Sequence, residues 1–278
     1  GFNKSTKKIF FSDIVKGWML SALFGSLILS AIIFLHQYIG QNFWIYAWVL
    51  LTVFTIIINM LYSSVIVPLF NKQTPLEDGV LKDQLSGYAA GVGFDIKNIF
   101  VIDGSKRSSK ANAYFSGFGR KKRITLYDTL IDDLEVDEIV AVLAHEVGHF
   151  KRKHIIYNMI LSAVITGLTF YVFSLFVSNP LLSYALGVST SSFHVGLIGF
   201  GLLYSPMSEI FGLLSNSISR RFEFQADNFV KETFESDALV SGLKKLSKNN
   251  LSNLTPHSSY VFARHSHPTL LRRIRNLR

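Results

Sequence analysis

The chain has 278 residues, of which 49% are hydrophobic and only 17% carry a charged side chain. Soluble domains average about 25% charged residues, so this composition favours a membrane protein. The net charge of +9 would suit a nucleic-acid binder only if the basic residues formed one continuous surface. Cysteine is absent, which excludes disulfides and thiolate metal sites and leaves His, Asp and Glu as candidate metal ligands.

The basic residues are confined to three blocks, and this distribution indicates membrane topology and no nucleic-acid partner. All 28 Lys and Arg residues lie in 1–16, 72–153 and 220–278. The two intervening stretches contain no Lys or Arg, and their single acid is Glu209. About 20 apolar residues already suffice to cross a bilayer. The alternative, a soluble protein with buried helices, would need two uncharged spans of more than fifty residues.

Each uncharged stretch is long enough for two membrane crossings. The first predicts helices over about 18–37 and 43–67, and the second predicts helices over about 155–177 and 192–214. The loop within each pair lacks Lys and Arg, whereas every basic block lies at the other end of the helices. By the positive-inside rule, both termini and the segment 72–153 are expected in the cytoplasm.

The segment between the helix pairs predicts a small α+β domain. Helices are predicted from Leu81 to Ala90 and from Glu135 to Phe150, and strands at 98–102, 110–118 and 123–127. The expected fold class is therefore mainly α, a polytopic helical membrane protein with a small cytoplasmic α+β domain. Its expected parts are 1–71 with two membrane helices, 72–153, the helical hairpin 154–219, and the C-terminal segment 220–278.

A metal-binding pattern lies inside the predicted helix 135–150, where His145, Glu146 and His149 match H-E-x-x-H. Residues i and i+4 share one face of a helix, so both imidazoles can reach one Zn²⁺. Glu146 would take a proton from a zinc-bound water of pKa about 7 and pass it to the leaving amine. Two surface histidines on an amphipathic helix are the alternative, which the apolar residues 142–144 disfavour.

The third metal ligand must come from elsewhere in the chain. The extended pattern H-E-x-x-H-x-x-G-x-x-H fails, because Arg152 stands at the Gly position and Ile155 at the His position. His154 is one position short and is expected at the membrane interface. Glu223 and Asp227 lie four residues apart, so both would face the same way on a helix. We predict that Glu223 binds zinc and that Asp227 hydrogen-bonds a zinc-binding histidine, although a solvated acidic face is the alternative.

With these motifs, the chain resembles the CAAX prenyl protease family of Ste24 type, integral-membrane zinc peptidases of the M48 clan. The resemblance extends over nearly the whole chain. The matching stretches are 68–79, 112–117, 123–130, 145–149, 219–227 and 265–268, the last followed by Arg272.

The resemblance implies one zinc ion per chain, an active site on the cytoplasmic side of the membrane, and contact with membrane lipid. The implied substrates are peptides or proteins, among them C-terminally prenylated CAAX proteins, cleaved inside a helical chamber. The family has seven membrane helices, of which four are predicted here, so its first three helices are expected to be absent from this chain.

The resemblance also implies roles for residues that spacing alone does not single out. Asn112, Ala113 and Tyr114 would lie in an edge strand that pairs with the substrate backbone. His267 and Arg272 would line the active site and stabilise the oxyanion, as preorganised donors do in acyl transfer.

Two other functions are alternatives to a CAAX-type protease. A heat-shock membrane protease of the same clan has four helices and a similar glutamate motif, but the stretches 68–79 and 265–268 argue against it. A metal-free membrane scaffold would have no need of the intact residues His145, Glu146, His149 and Glu223.

Overall fold

Helices make up most of the described residues, 1–94, 96, 98–116 and 123–278, of this computed structural model. The predicted fold class, mainly helical with a small sheet, is confirmed. The helices are α1 (Lys7–Ile39), α2 (Phe43–Leu61), α3 (Val67–Phe70), α4 (Val80–Gly91), α5 (Asp128–Asp133), α6 (Val136–Lys151), α7 (His154–Phe176), α8 (Pro180–Ala185), α9 (Phe193–Thr233), α10 (Ser236–Asn249), α11 (Ser258–Arg264) and α12 (Leu270–Leu277). The strands are β1 (Gln73–Pro75), β2 (Asn98–Ile102), β3 (Ala113–Ser116) and β4 (Arg123–Tyr127).

The chain divides into two units, each with its own core. The apolar unit comprises Val15–Ile58 and Ile156–Ser215. The polar unit comprises Gly1–Ile14, Asn59–Ile155 and Asn216–Arg278. All residues of the predicted metal site belong to the polar unit.

Continuous helical stretches of the described residues are long and apolar enough to cross a membrane at Lys7–Phe70, His154–Phe176 and Phe193–Thr233. The first of these has 64 residues, but the chain reverses within it at Gly40, whose φ of +68° suits glycine. Phe24 of α1 contacts Phe54 of α2, with ring centroids 5.6 Å apart, so these two helices run antiparallel. Four helices of crossing length are therefore present in the described residues, at the predicted places.

Hydrogen bonds join helices within the apolar unit, among them one of 3.2 Å between the hydroxyls of Thr169 in α7 and Tyr204 in α9. The indole N–H of Trp48 in α2 donates to the carbonyl of Ala163 in α7 at 2.8 Å, which satisfies a polar group in apolar surroundings. Gly167 leaves room for that indole, because a Cβ there would lie 3.1 Å from the ring. The buried core of the unit consists of Ile32, Phe43, Ala47, Phe173, Val177 and Phe200.

The sheet of the polar unit has the strand order β1-β2-β4-β3. β1 is antiparallel to β2, β2 is parallel to β4, and β3 is antiparallel to β4. In the β3–β4 pair, Tyr114 lies opposite Thr125 and Phe115 lies opposite Ile124. Ile124 and Leu126 point into the core, so the opposite face of β3 carries Tyr114.

Helix α6 is the centre of the polar unit. A reciprocal capping box between Glu135 and Glu138 begins the helix. One of its faces packs through Leu143 and Val147 onto the cluster that covers the sheet. Ala144 on another face packs with residues of α9, α10 and α12. The helix that carries the two predicted histidine ligands is therefore held on both sides.

Most predicted elements are confirmed, with small shifts at their ends. The strands at 98–102 and 123–127 have the predicted bounds, and the helix predicted from Glu135 begins at Val136 with Glu135 as its N-cap. The strand predicted at 110–118 is shorter, and its last two predicted residues lie outside the described part of the chain. β1 and the C-terminal helices were not predicted, and α9 continues 19 residues beyond the predicted end at 214.

Candidate metal centre

Two helices bring three metal-binding side chains together. The Nε2 atoms of His145 and His149 on α6 lie 3.2 Å apart. The carboxylate of Glu223 on α9 completes a triangle, with Oε2 3.4 Å from His145 Nε2 and Oε1 3.4 Å from His149 Nε2. His145 and Glu223 are buried, and His149 is partly buried. The structure thus places all three predicted ligands in one cluster.

The dimensions of this cluster fit a tetrahedral zinc ion. Zn–N and Zn–O bonds of about 2.0–2.1 Å at tetrahedral angles separate neighbouring ligand atoms by about 3.3 Å. The 3.2 Å between the two Nε2 atoms is close to that value, and so are the 3.4 Å from His145 to Glu223 Oε2 and the 3.4 Å from His149 to Glu223 Oε1. Glu223 Oε2 is buried and has no hydrogen-bond partner among the described residues, as expected of an oxygen reserved for a cation. Two imidazoles and one carboxylate form a donor set typical of catalytic zinc.

Gly148 explains why α6 and α9 approach closely enough for this triangle to form. A Cβ at position 148 would lie 3.1 Å from both the Cα and the carbonyl oxygen of Ala226. Ala226 is itself completely buried, so the backbone of α9 cannot move away from α6 to make room for a side chain. A glycine between the two histidines is therefore a packing requirement of the site.

Asp227 orients His145, as the spacing predicted. Its Oδ1 lies 3.0 Å from Nδ1 of His145, which leaves Nε2 directed at Glu223. Burial lowers the pKa of His145, but the nearby carboxylates of Asp227 and Glu223 outweigh that effect and raise the pKa to about 9. The surroundings of this ring therefore favour a positive charge, which a metal ion would supply.

His149 is oriented by a second chain of hydrogen bonds. Its Nδ1 lies 2.9 Å from Nδ1 of His154, and Nε2 of His154 lies 2.8 Å from Oε1 of Gln225. If Nε2 of His149 binds a metal, Nδ1 carries the proton and donates to His154, which then donates from Nε2 to Gln225. His154 is 2% exposed and stacks on Phe222, so its side chain belongs to the site. It is also the first residue of the candidate span His154–Phe176, and its place at the membrane interface stays a prediction. The turn that returns it to the site uses Lys153 at φ +59°.

We expect His154→Phe to weaken zinc binding by about 10- to 100-fold, the usual cost of losing a partner of a metal-binding histidine. The phenyl ring keeps the stacking on Phe222 but cannot accept the proton from His149. Zinc affinity measured by competition with a chelator tests this, with the exposed His194→Phe as the matched control. Equal zinc affinities for the two variants would contradict the assigned hydrogen-bond chain.

Glu146 and His267 lie beside the cluster without being part of the triangle. Glu146 is half-buried, and this burial raises the pKa of its carboxyl, which His145 and His149 partly offset. Nε2 of His267 lies 3.3 Å from Oε1 of Glu223, and the imidazole remains 64% exposed. Both side chains can therefore meet a substrate that approaches the metal position.

The arginine that the structure places at the site is Arg273, whereas the sequence analysis predicted its neighbour, Arg272. Arg272 is exposed on α12, and the structure does not bring it to the cluster. Arg273 is buried instead, with Nη2 2.6 Å from Asp227 Oδ1 and Nη1 3.5 Å from Glu223 Oε2. Leu277 is buried one turn later, and this spacing is the signal in the sequence that could have identified the inward face of α12.

The predicted substrate strand is an edge strand. β3 begins at Ala113 and stands at the end of the strand order, with β4 on one side. Asn112 precedes it and accepts a hydrogen bond through its carbonyl from the amide of Tyr127. Tyr114 points away from the core, and its hydroxyl is buried without a hydrogen-bond partner among the described residues. The geometry is compatible with backbone pairing by a peptide.

Comparison with protein families assigns both parts of the sequence. Residues 75–278 match peptidase family M48, and residues 1–72 match the family described as "CAAX prenyl protease N-terminal, five membrane helices". The chain belongs to peptidase family M48. With its crossing-length helices and its N-terminal match, this M48 family member is an integral membrane protein.

Relatives of known name support the same family membership. The chain is 40% identical over 276 residues to "CAAX prenyl protease 1 homolog" of Arabidopsis thaliana, covering 99% of this chain and 65% of the relative. It is 33% identical to the human protein of the same name, covering 100% and 67%. The crystal structure of S. mikatae Ste24p matches with a TM-score of 0.93 at 37% identity, covering 100% of this chain and 68% of that one. The chain thus spans about two thirds of the length of these M48 relatives.

Proposed function

We propose that this chain carries the catalytic site of a membrane-embedded zinc endopeptidase of the CAAX prenyl protease type. The observation that carries the proposal is the triangle of His145, His149 and Glu223, with Glu146 directly beside it. Family membership alone would also be consistent with an inactive protein. An inactive protein would have no need of a buried cluster of metal ligands with the spacing that zinc requires, next to the carboxylate of Glu146. The names of the Arabidopsis and human relatives support the CAAX protease assignment.

His145, His149 and Glu223 would hold one zinc ion, which supplies Lewis acidity to activate water and polarise the scissile carbonyl. Glu146 accepts a proton from the attacking water and delivers it to the leaving amine. His267 lies on the exposed side of the cluster and donates its N–H to the carbonyl oxygen as negative charge develops there. Arg272 is exposed, so we assign the adjacent charge stabilisation to Arg273.

The edge strand β3 would align the substrate. An extended peptide can add to a sheet edge through its backbone, and Asn112, Ala113 and Tyr114 are the residues we assign to this pairing. Backbone pairing is independent of side-chain identity, so it suits a protease whose substrates differ in sequence.

The substrates we propose are peptides and proteins with a prenylated C-terminus, reached from the cytoplasmic side. The support for the side is the charge distribution, because every Lys and Arg lies in the blocks 1–16, 72–153 and 220–278. The proposed contact with membrane lipid fits a prenylated substrate, because a prenyl chain is apolar and can enter the same bilayer. Such a substrate would present its polypeptide next to the membrane surface.

The test uses one peptide, prenylated and unprenylated, with the purified protein in liposomes. We expect at least a tenfold higher kcat/KM for the prenylated peptide, because each buried CH₂ contributes about 0.8 kcal/mol. A chelator should abolish both rates and added zinc should restore them. Equal rates for the two peptides would favour a general membrane peptidase, and zinc-independent cleavage would reject the proposed chemistry.

A further inference from the structure

The face of α9 that presents the metal ligand Glu223 also presents other polar side chains. Asn216, Arg220, Glu223 and Asp227 follow one another at spacings of four, three and four residues, so they form a single stripe along the helix. The last two serve the metal cluster. The first two contact a different element, the C-terminal end of α11 (Ser258–Arg264).

These contacts satisfy carbonyl groups that a helix end leaves unpaired. The last four carbonyls of a helix have no partner within the helix itself. Nη1 of Arg220 lies 3.2 Å from the carbonyl oxygen of Phe262, and 3.3 Å from that of Val261, which also accepts the amide of His265. Nδ2 of Asn216 donates to the carbonyl of Ala263 at 3.0 Å. Side chains of α9 thus meet two carbonyl groups, those of Phe262 and Ala263, that the helix itself leaves unpaired.

The strongest of these contacts is made to the loop that follows α11. Nη1 of Arg220 donates to the carbonyl of His265 at 2.6 Å, and a charged donor makes such a bond stronger than a neutral one. The guanidinium also lies over the Phe262 ring, 5.7 Å from its centroid. The chain then needs two more residues to reach His267 beside Glu223.

His267 depends on its backbone for its position. Its side chain is 64% exposed, and the contacts of its ring are Ser266 Oγ at 3.0 Å and Glu223 Oε1 at 3.3 Å. Packing therefore does little to hold the imidazole, whereas Pro268 after it is buried. The loop is fixed between that proline and the carbonyl of His265.

We propose that Asn216 and Arg220 are positioning residues that clamp the end of α11 and so hold His267 in place beside the metal cluster. The inference rests on the proposed function, in which His267 stabilises negative charge on the substrate carbonyl. One face of α9 would then position both the metal, through Glu223, and the donor His267, through Arg220. Glu223 and Arg220 lie one helical turn apart on that face.

A double-mutant cycle tests whether Arg220 acts through His267. We expect His267→Ala to lower kcat by about 10²-fold, the cost of losing one oxyanion donor, with zinc content unchanged. Arg220→Met should lower kcat by about tenfold with little change in KM, and Arg220→Lys should recover part of that loss. The double variant should be no slower than His267→Ala alone. Arg221→Met, an exposed arginine one position along the helix, is the matched control and should resemble the wild type.

A second readout does not depend on catalysis. Arg220→Met should increase amide hydrogen exchange in residues 261–268, whereas Arg221→Met should not. Multiplicative losses in the double variant, or unchanged exchange in Arg220→Met, would overturn the clamp. A wild-type protein that hydrolyses no peptide would reject the proposed function instead, and the exchange measurement would still decide whether the clamp exists.

Discussion

Replacing Glu146 with Gln should reduce peptide hydrolysis by on the order of 10³-fold or more while leaving the zinc in place. Gln has the same shape as Glu but cannot accept a proton, and general acid–base groups typically contribute about 10²- to 10⁴-fold. Glu146 lies outside the triangle of metal ligands, so zinc occupancy should stay at that of the wild type. The measurement combines single-turnover cleavage with metal analysis of the same purified sample.

Asp137→Asn provides the control for this experiment. It is also an acid-to-amide change on α6, but Asp137 is exposed at the start of the helix, far along it from His145. We expect its activity to equal that of the wild type. A Glu146→Gln variant that retained more than a tenth of the wild-type activity would remove Glu146 from the role of proton acceptor.

Replacing Glu223 with Ala should cause zinc loss without loss of the fold. The change removes one corner of the triangle and leaves two histidine ligands, whose partners Asp227 and His154 remain in place. The decrease in zinc affinity should greatly exceed the roughly 10- to 100-fold cost of losing an outer hydrogen-bond partner. Activity should fall with zinc content and should not return at zinc concentrations that saturate the wild type.

Glu232→Ala is the matched control for this variant. Glu232 lies on the same helix α9, but it is exposed and pairs with Arg152 at 3.2 Å on the surface. Surface pairs of this kind contribute about 0–1 kcal/mol, so the control should keep both zinc and activity. Circular dichroism of both variants verifies that α9 is intact. Full zinc occupancy in a folded Glu223→Ala protein would show that another residue supplies the third ligand.

The helix α6 shows how much of the site the sequence could predict. Spacing alone placed His145 and His149 on one face, and the need for a carboxylate pointed to Glu223 and Asp227. Those predictions needed no tertiary information, because each rests on two residues within one helix. The structure adds that the two helix faces meet, which Gly148 makes possible.

Other parts of the site depend on turns and on helix phase, which the sequence signals weakly. His154 reaches His149 only because Lys153 adopts a left-handed backbone conformation that is unusual for lysine. Arg272 and Arg273 are adjacent in sequence, and the phase of an eight-residue helix decides which of them faces inward. Successive residues of an α-helix point in directions about 100° apart, so an assignment that is one residue off selects a side chain on a different face.

The small strand β1 could not be predicted for a different reason. Gln73–Pro75 has three residues, ends in proline, and lacks the apolar alternation of a half-buried strand. It pairs at the edge of the sheet with β2, where proline is tolerated. Its existence follows from the neighbouring strand and not from its own residues.

The most direct test of the account is X-ray absorption at the zinc edge on the purified, active protein. We predict one zinc per chain, bound by two imidazole nitrogens and one carboxylate at about 2.0–2.1 Å. The signal of bound zinc should be lost in Glu223→Ala and should persist unchanged in Glu232→Ala. A zinc ion with a different set of ligands, or full peptidase activity in a protein that contains no metal, would contradict the central claim.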